Sequence, residues 1–95
     1  TPAAEIIKLL SERGAKVSYH DPHVEKFPEM RKYSIDLESV ALTRESLAAT
    51  DCVLIVTDHA SVDYSLVGAN ARLIVDTRDV LMRFGVTPIG RVEKA

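Results

Sequence analysis

Cys52-Val53-Leu54-Ile55-Val56 runs straight into Thr57-Asp58-His59, and Leu73-Ile74-Val75 runs straight into Asp76-Thr77-Arg78. Short aliphatic runs that end in polar clusters read as fully buried strands of a parallel sheet. In open α/β sheets, ligands lie in the crevice beyond the carboxyl ends of such strands. Both polar clusters therefore fall where a nucleotide-type ligand is expected.

Helical signals flank these strands. Thr43 is expected to cap a short helix running to Ala49, with Leu47 and Ala48 facing inward. A helical stretch around residues 61–67 follows the first strand and is ended by Gly68 and Asn70. Residues 80–84 read as a helical turn before Gly85, and a final short strand is expected near residues 88–92. At the other end, Thr1 is the expected N-cap and Pro2 the first helical residue. Ala3, Ile6, Ile7 and Leu10 then share one face, and Gly14 supplies the left-handed stop. Residues 16–20 alternate polar and apolar, as a half-covered strand does, before the Asp21-Pro22 turn. Residues 23–33 read as a long loop, and residues 34–40 stay open between a short strand and more loop. Strands alternating with helices at this spacing predict βαβ units and a mainly parallel sheet.

Composition narrows the class. The 95 residues suit one domain, with 46% apolar and 27% charged residues as in globular proteins. A net charge of −2 gives no electrostatic footprint for nucleic acid. The apolar runs are too short to cross a bilayer. A single cysteine excludes an internal disulfide, no signal peptide is visible, and a cytoplasmic setting is the default. The opening at Thr1-Pro2, already at a helix start and without an initiator Met, is expected to be a piece of a longer polypeptide.

The strand ends offer the candidate site. Arg78 can present its planar fork to a phosphate; the competing reading is a salt bridge to Asp76 or Asp79. Thr57, Asp58 and His59 can contact the same ligand, or simply cap the turn that follows. Asp58, His59 and Ser61 make no hydrolytic triad, because no nucleophile-elbow pattern surrounds Ser61. His20, Asp21 and His23 read as a strand end and turn, and no metal site is assigned. Cys52 is expected to be core, since no partner base is evident. The four glycines stand at 14, 68, 85 and 90, so no G-x-G-x-x-G loop exists.

In combination these stretches resemble a known family. Residues 14–22, 37–43, 51–59, Asp63-Tyr64 and 73–78 together are similar to the C-terminal domain of the UDP-glucose/GDP-mannose dehydrogenases. The Thr-Asp-His and Asp-Tyr pieces look closest to the branch acting on UDP-N-acetylhexosamines. The resemblance implies an α/β, Rossmann-like three-layer sandwich with a mainly parallel sheet, here lacking its first strand. It makes residues 1–95 the C-terminal UDP-binding domain fragment of an NAD-dependent UDP-sugar 6-dehydrogenase. Such an enzyme oxidises the sugar C6 alcohol to a uronate for surface polysaccharide synthesis, through a thiohemiacetal and a thioester on a cysteine. Cys52 does not match that cysteine, so the resemblance places no catalytic residue in this chain and leaves it inactive alone. NAD would be bound mainly by an N-terminal domain outside this chain, and its contacts here are not assigned. Arg78 matches the arginine that reaches the nucleotide-sugar, with Thr57, Asp58 and His59 in the adjoining loop. Asp79 departs from the Asn or Arg of many relatives, which puts the hydrogen bonding after Arg78 in question. The implied partners are the UDP-sugar, the remaining domains and further copies in a homo-oligomer, with neither nucleic acid nor membrane. The alternative is a non-catalytic α/β interaction or regulatory module.

Overall fold

Residues 2–22 and 39–94 are described in a computed structural model. The expected Thr1 cap, the 23–33 loop and most of the 34–40 stretch lie outside the described residues. The chain divides into two compact units, Thr1–Val40 and Ala41–Ala95.

In the first unit, α1 spans Pro2–Glu12. It buries Ala4 and half-buries Ala3, Ile6 and Ile7, whereas Leu10, on the expected face, stays 40% exposed. Gly14 takes φ +90° and closes the helix. Its N–H donates to the Ser11 carbonyl at 3.1 Å, and that of Ala15 to the Leu10 carbonyl at 3.0 Å, the Schellman pair. The expected strand at 16–20 keeps its alternation, with Val17 and Tyr19 half-buried between exposed neighbours. Among the described residues its pairing shrinks to one parallel bridge, Tyr19 with Ser39. His20 Nδ1 donates to the Val40 carbonyl at 2.8 Å, and the Asp21 N–H to Ser39 Oγ at 3.0 Å. Both residues thus serve this local turn.

The second unit carries the sheet. Three strands, β1 (Val53–Ile55), β2 (Leu73–Asp76) and β3 (Arg91–Lys94), lie parallel in the order β1-β2-β3. The expected α/β class with a parallel sheet is what forms. Parallel partners share a face, so Val53, Ile74 and Val92 align on one side with Ile55, Asp76 and Lys94 beyond them. Three helices pack on that side: α2 (Arg44–Ala48), α3 (Tyr64–Asn70) and α4 (Val80–Arg83). Leu47, Ile55, Tyr64, Val67, Ala71, Ile74, Val80 and Leu81 form one buried cluster there.

Several expectations are corrected. The first strand is not buried on both faces: Leu54 keeps 36% of its surface and Cys52 is exposed, not core. Leu54 points, with Val75 and Glu93, to the sheet face opposite α2, α3 and α4, and β1 stands at the end of the described sheet. Ala48 is exposed, because a five-residue helix turns only Leu47 fully inward. Gly68 and Asn70 do not break α3 but lie within it. A Cβ on Gly68 would stand 2.6 Å from Val86 Cγ1, so close packing there outweighs the roughly 1 kcal/mol that a helical glycine costs. The final strand starts at Arg91 and not near residue 88. Gly90 causes this, since it brings the chain against the Ala71 and Arg72 carbonyls before pairing begins. The Ile89 N–H then donates to the Gly68 carbonyl at 2.9 Å and that of Arg91 to the Arg72 carbonyl at 3.1 Å.

Candidate functional site

The three parallel strands finish in one register, Ile55 beside Asp76 beside Lys94. The turns that leave β1 and β2 therefore open side by side, as a topological crevice requires. Thr77 ties them together: its N–H and its Oγ1–H both donate to the Ile55 carbonyl, at 3.2 and 2.6 Å. Asp76 faces into the helix-covered side at only 2% exposure. Its Oδ1 accepts from the Arg78 N–H and its Oδ2 from the Leu81 N–H, both at 3.1 Å. The carboxylate thus caps α4 from the end of the neighbouring strand. Asp79, the formal N-cap, makes no such bond and sits at φ +56°, a conformation that Asp tolerates better than most residues.

An open depression of about 430 Å3 lies over these turns. Arg78, Arg83 and Lys94 line it with Asp58, Asp76, Asp79 and Thr77. Three cations thus meet three carboxylates. Asp58 bridges the arginines: Oδ1 accepts from Arg78 Nε at 3.2 Å, and Oδ2 lies 3.1 Å from Arg83 Nη2. Arg83 also donates through Nε and Nη2 to the Arg78 carbonyl, at 3.1 and 2.9 Å. Its guanidinium lies 5.8 Å from the Phe84 ring centre, and Phe84 stacks on Tyr64 at 5.3 Å. Lys94 Nζ stands 2.9 Å from Asp79 Oδ1, an oxygen that no aligned hydrogen bond satisfies.

The charges shift accordingly. Hydrogen bonding from Arg83 and then from the backbone, with a lesser share from Arg78, holds the Asp58 carboxyl below its ordinary range against the opposing effect of burial. Burial pushes Asp76 up, yet the N–H groups of Leu81, Val80, Arg78 and Asp79 together outweigh it and leave the carboxyl lowered. Partial burial pushes the Cys52 thiol up, the opposite of what an activated nucleophile needs.

Of the residues expected at the site, Arg78 and Asp58 come together, through a pairing with each other that neither Asp76 nor Asp79 makes. Thr57 is exposed at the β1 end, and the His59 N–H donates to the Tyr64 hydroxyl at 3.0 Å. Neither lines the depression. Sequence reasoning passed over Arg83 and Lys94. Arg83 could have been found from its place one helical turn past the Thr77-Arg78-Asp79 turn. Lys94 depends on where β3 ends. Among the described residues, no three His, Cys, Asp or Glu side chains gather as a metal site, and no helix is long and apolar enough to cross a membrane.

A parallel α/β sheet with an arginine-lined depression beyond its strand ends defines a Rossmann-like domain of the ligand-binding class. The sequence profile described as the UDP-glucose/GDP-mannose dehydrogenase family, UDP binding domain, matches residues 1–83, and the chain belongs to that family. It is 28% identical over 89 residues to a UDP-N-acetyl-D-mannosamine dehydrogenase of Methanococcus maripaludis strain S2, covering 85% of this chain and 19% of that protein. A protein of the same name from Methanococcus vannielii is 27% identical over 89 residues, with the same 85% and 19% coverage. The chain thus spans 19% of the length of these relatives. No solved structure matches it.

Proposed function

We propose that this chain is the domain of a UDP-N-acetylhexosamine 6-dehydrogenase that holds the UDP part of the substrate, with the diphosphate at Arg78. The observation that carries this reading is the depression at the strand ends, onto which the Arg78 guanidinium opens at 56% exposure, paired with Asp58 in the free domain. A guanidinium matches phosphate oxygens in pairs, so it fixes both position and orientation. Asp58, Thr57 and His59, on the turn after β1, stand within the same strand-end region and offer acceptors and donors to the nucleoside.

In this reading the residues here bind and orient, and the oxidation of the C6 alcohol to a uronate proceeds elsewhere in the enzyme. The exposed Cys52, outside the depression and with its thiol shifted up, supplies no nucleophile. NAD, which would accept the electrons, does not fit these residues. The turns after β1 and β2 read Thr57-Asp58-His59-Ala60 and Thr77-Arg78-Asp79. Neither carries the G-x-G-x-x-G loop by which a dinucleotide fold holds NAD, so the diphosphate met here by side-chain guanidiniums is assigned to UDP. The family and the relatives' names support the UDP-sugar dehydrogenase part of this reading, and we extend it to a cytoplasmic homo-oligomeric enzyme whose uronate enters surface polysaccharide.

Titration of the full chain with UDP, followed by amide shifts in NMR, tests the assignment. Shifts are expected at Asp58, Thr77, Arg78 and Arg83, and Arg78→Gln is expected to weaken binding by about tenfold or more. Absence of shifts around 57–59 and 76–79 at millimolar UDP would refute it.

A further inference from the structure

Asp58 gives one carboxylate oxygen to each of two arginines that come from different elements. Arg78 leaves the turn after β2, and Arg83 stands at the end of α4. Two guanidinium groups converging on one point repel each other unless an anion lies between them. Asp58 is that anion, and it sits on a turn, not on a strand or helix. Arg83 has a second anchor besides Asp58, because its Nε and Nη2 also donate to the Arg78 carbonyl. Arg78 and Arg83 remain 56% and 47% exposed, so both forks can be reached from the depression. A phosphate presents paired oxygens to a guanidinium much as a carboxylate does, with more charge.

We infer that Arg83 is a second ligand-binding residue, forming with Arg78 a two-arginine clamp for a diphosphate, and that Asp58 is its placeholder, displaced when the ligand arrives. The clamp rests on the reading of the chain as a nucleoside-diphosphate domain, and it adds an internal competitor that sets the affinity. The exchange is favourable because the diphosphate brings several charges to a position that Asp58 fills with one. Removing the Asp58 charge leaves the two cations unneutralised in the free protein, so an anion should bind more tightly.

The test is calorimetric and NMR titration of the full chain at fixed ionic strength, with inorganic pyrophosphate, UDP and uridine as probes. The variants are Asp58→Asn, Arg83→Gln and the double substitution, each checked for fold by far-UV circular dichroism. Asp58→Asn is expected to tighten pyrophosphate binding about tenfold, and Arg83→Gln to loosen it about tenfold. In the double variant the gain from Asp58→Asn should shrink, because Asp58 then competes for Arg78 alone; a purely structural Arg83 would leave the gain unchanged. If Arg83→Gln fails to fold, Arg83→Lys, which keeps the charge without the fork, carries the same comparison. Unchanged or weaker pyrophosphate binding by Asp58→Asn overturns the clamp, as does an Arg83 variant that binds like the parent. The two readings fail separately. If UDP binds no better than pyrophosphate and uridine not at all, the nucleotide assignment falls while the clamp stands. If UDP binds well and Asp58→Asn brings no gain, the clamp falls alone.

Discussion

Replacing Asp76 by Asn changes one oxygen to an amide with almost no change of volume, so it isolates what the carboxylate does. Each oxygen accepts one backbone N–H, from Arg78 and from Leu81, at 3.1 Å in a position 2% exposed. Asparagine keeps one acceptor and turns an NH2 group toward the other donor. One charge-assisted bond is lost and one buried N–H is stranded, partly offset by no longer burying a charge; the net cost is about 2–3 kcal/mol. For a chain of this length that is a fall in Tm of about 10–20 °C. The pH dependence follows from the direction of the shift. The folded carboxyl releases its proton more readily than the unfolded one, so its contribution is complete above about pH 4. That contribution is lost as the pH drops through the lowered folded value. Thermal melts by circular dichroism between about pH 7 and about pH 3 should show the parent converging on Asp76→Asn as acid is added. A variant within about 3 °C of the parent at neutral pH, or one with the parent's full acid slope, would refute the reasoning.

Two further substitutions probe the frame around the site. Gly90→Ala would place a Cβ 2.6 Å from the Arg72 carbonyl oxygen and closer still to that of Ala71, backbone atoms that cannot swing away. A loss of about 1–3 kcal/mol in urea unfolding is expected, and a neutral result would show that the approach of β3 is not as tight as described. Cys52→Ser, at an exposed thiol, should change stability by less than about 0.5 kcal/mol. A cost of several times that would return Cys52 to the core.

The sequence was most legible where chemistry is local. Leu73–Asp76 carries its own boundaries, and Thr43 announces α2, since its Oγ1 accepts from the Ser46 N–H at 3.0 Å while Ser46 Oγ accepts from Thr43. Composition failed where tertiary position decides. The run at 52–56 is as aliphatic as a doubly buried strand, yet nothing within it tells that β1 stands at the end of the described sheet. Gly68 looks like a helix stop until Val86, eighteen residues on, is seen to need the space. The site was half visible for the same reason. Arg78 and Asp58 follow strands directly and can be read from them. Their mutual pairing, and the arrival of Arg83 and Lys94, depend on the packing of α4 and β3.

The carbonyl of Ile55 has a wider effect than fastening two turns. A carbonyl oxygen has two lone pairs, and Thr77 occupies both with its N–H and its hydroxyl. A ligand approaching the end of β1 therefore finds that main-chain acceptor already saturated. Any donor it carries, a ribose hydroxyl or a base N–H, must be met there by other groups, the side chains of the turn after β1 among them. Discrimination between ligands at this end can thus be rewritten by exchanging side chains, without disturbing the backbone that supports them.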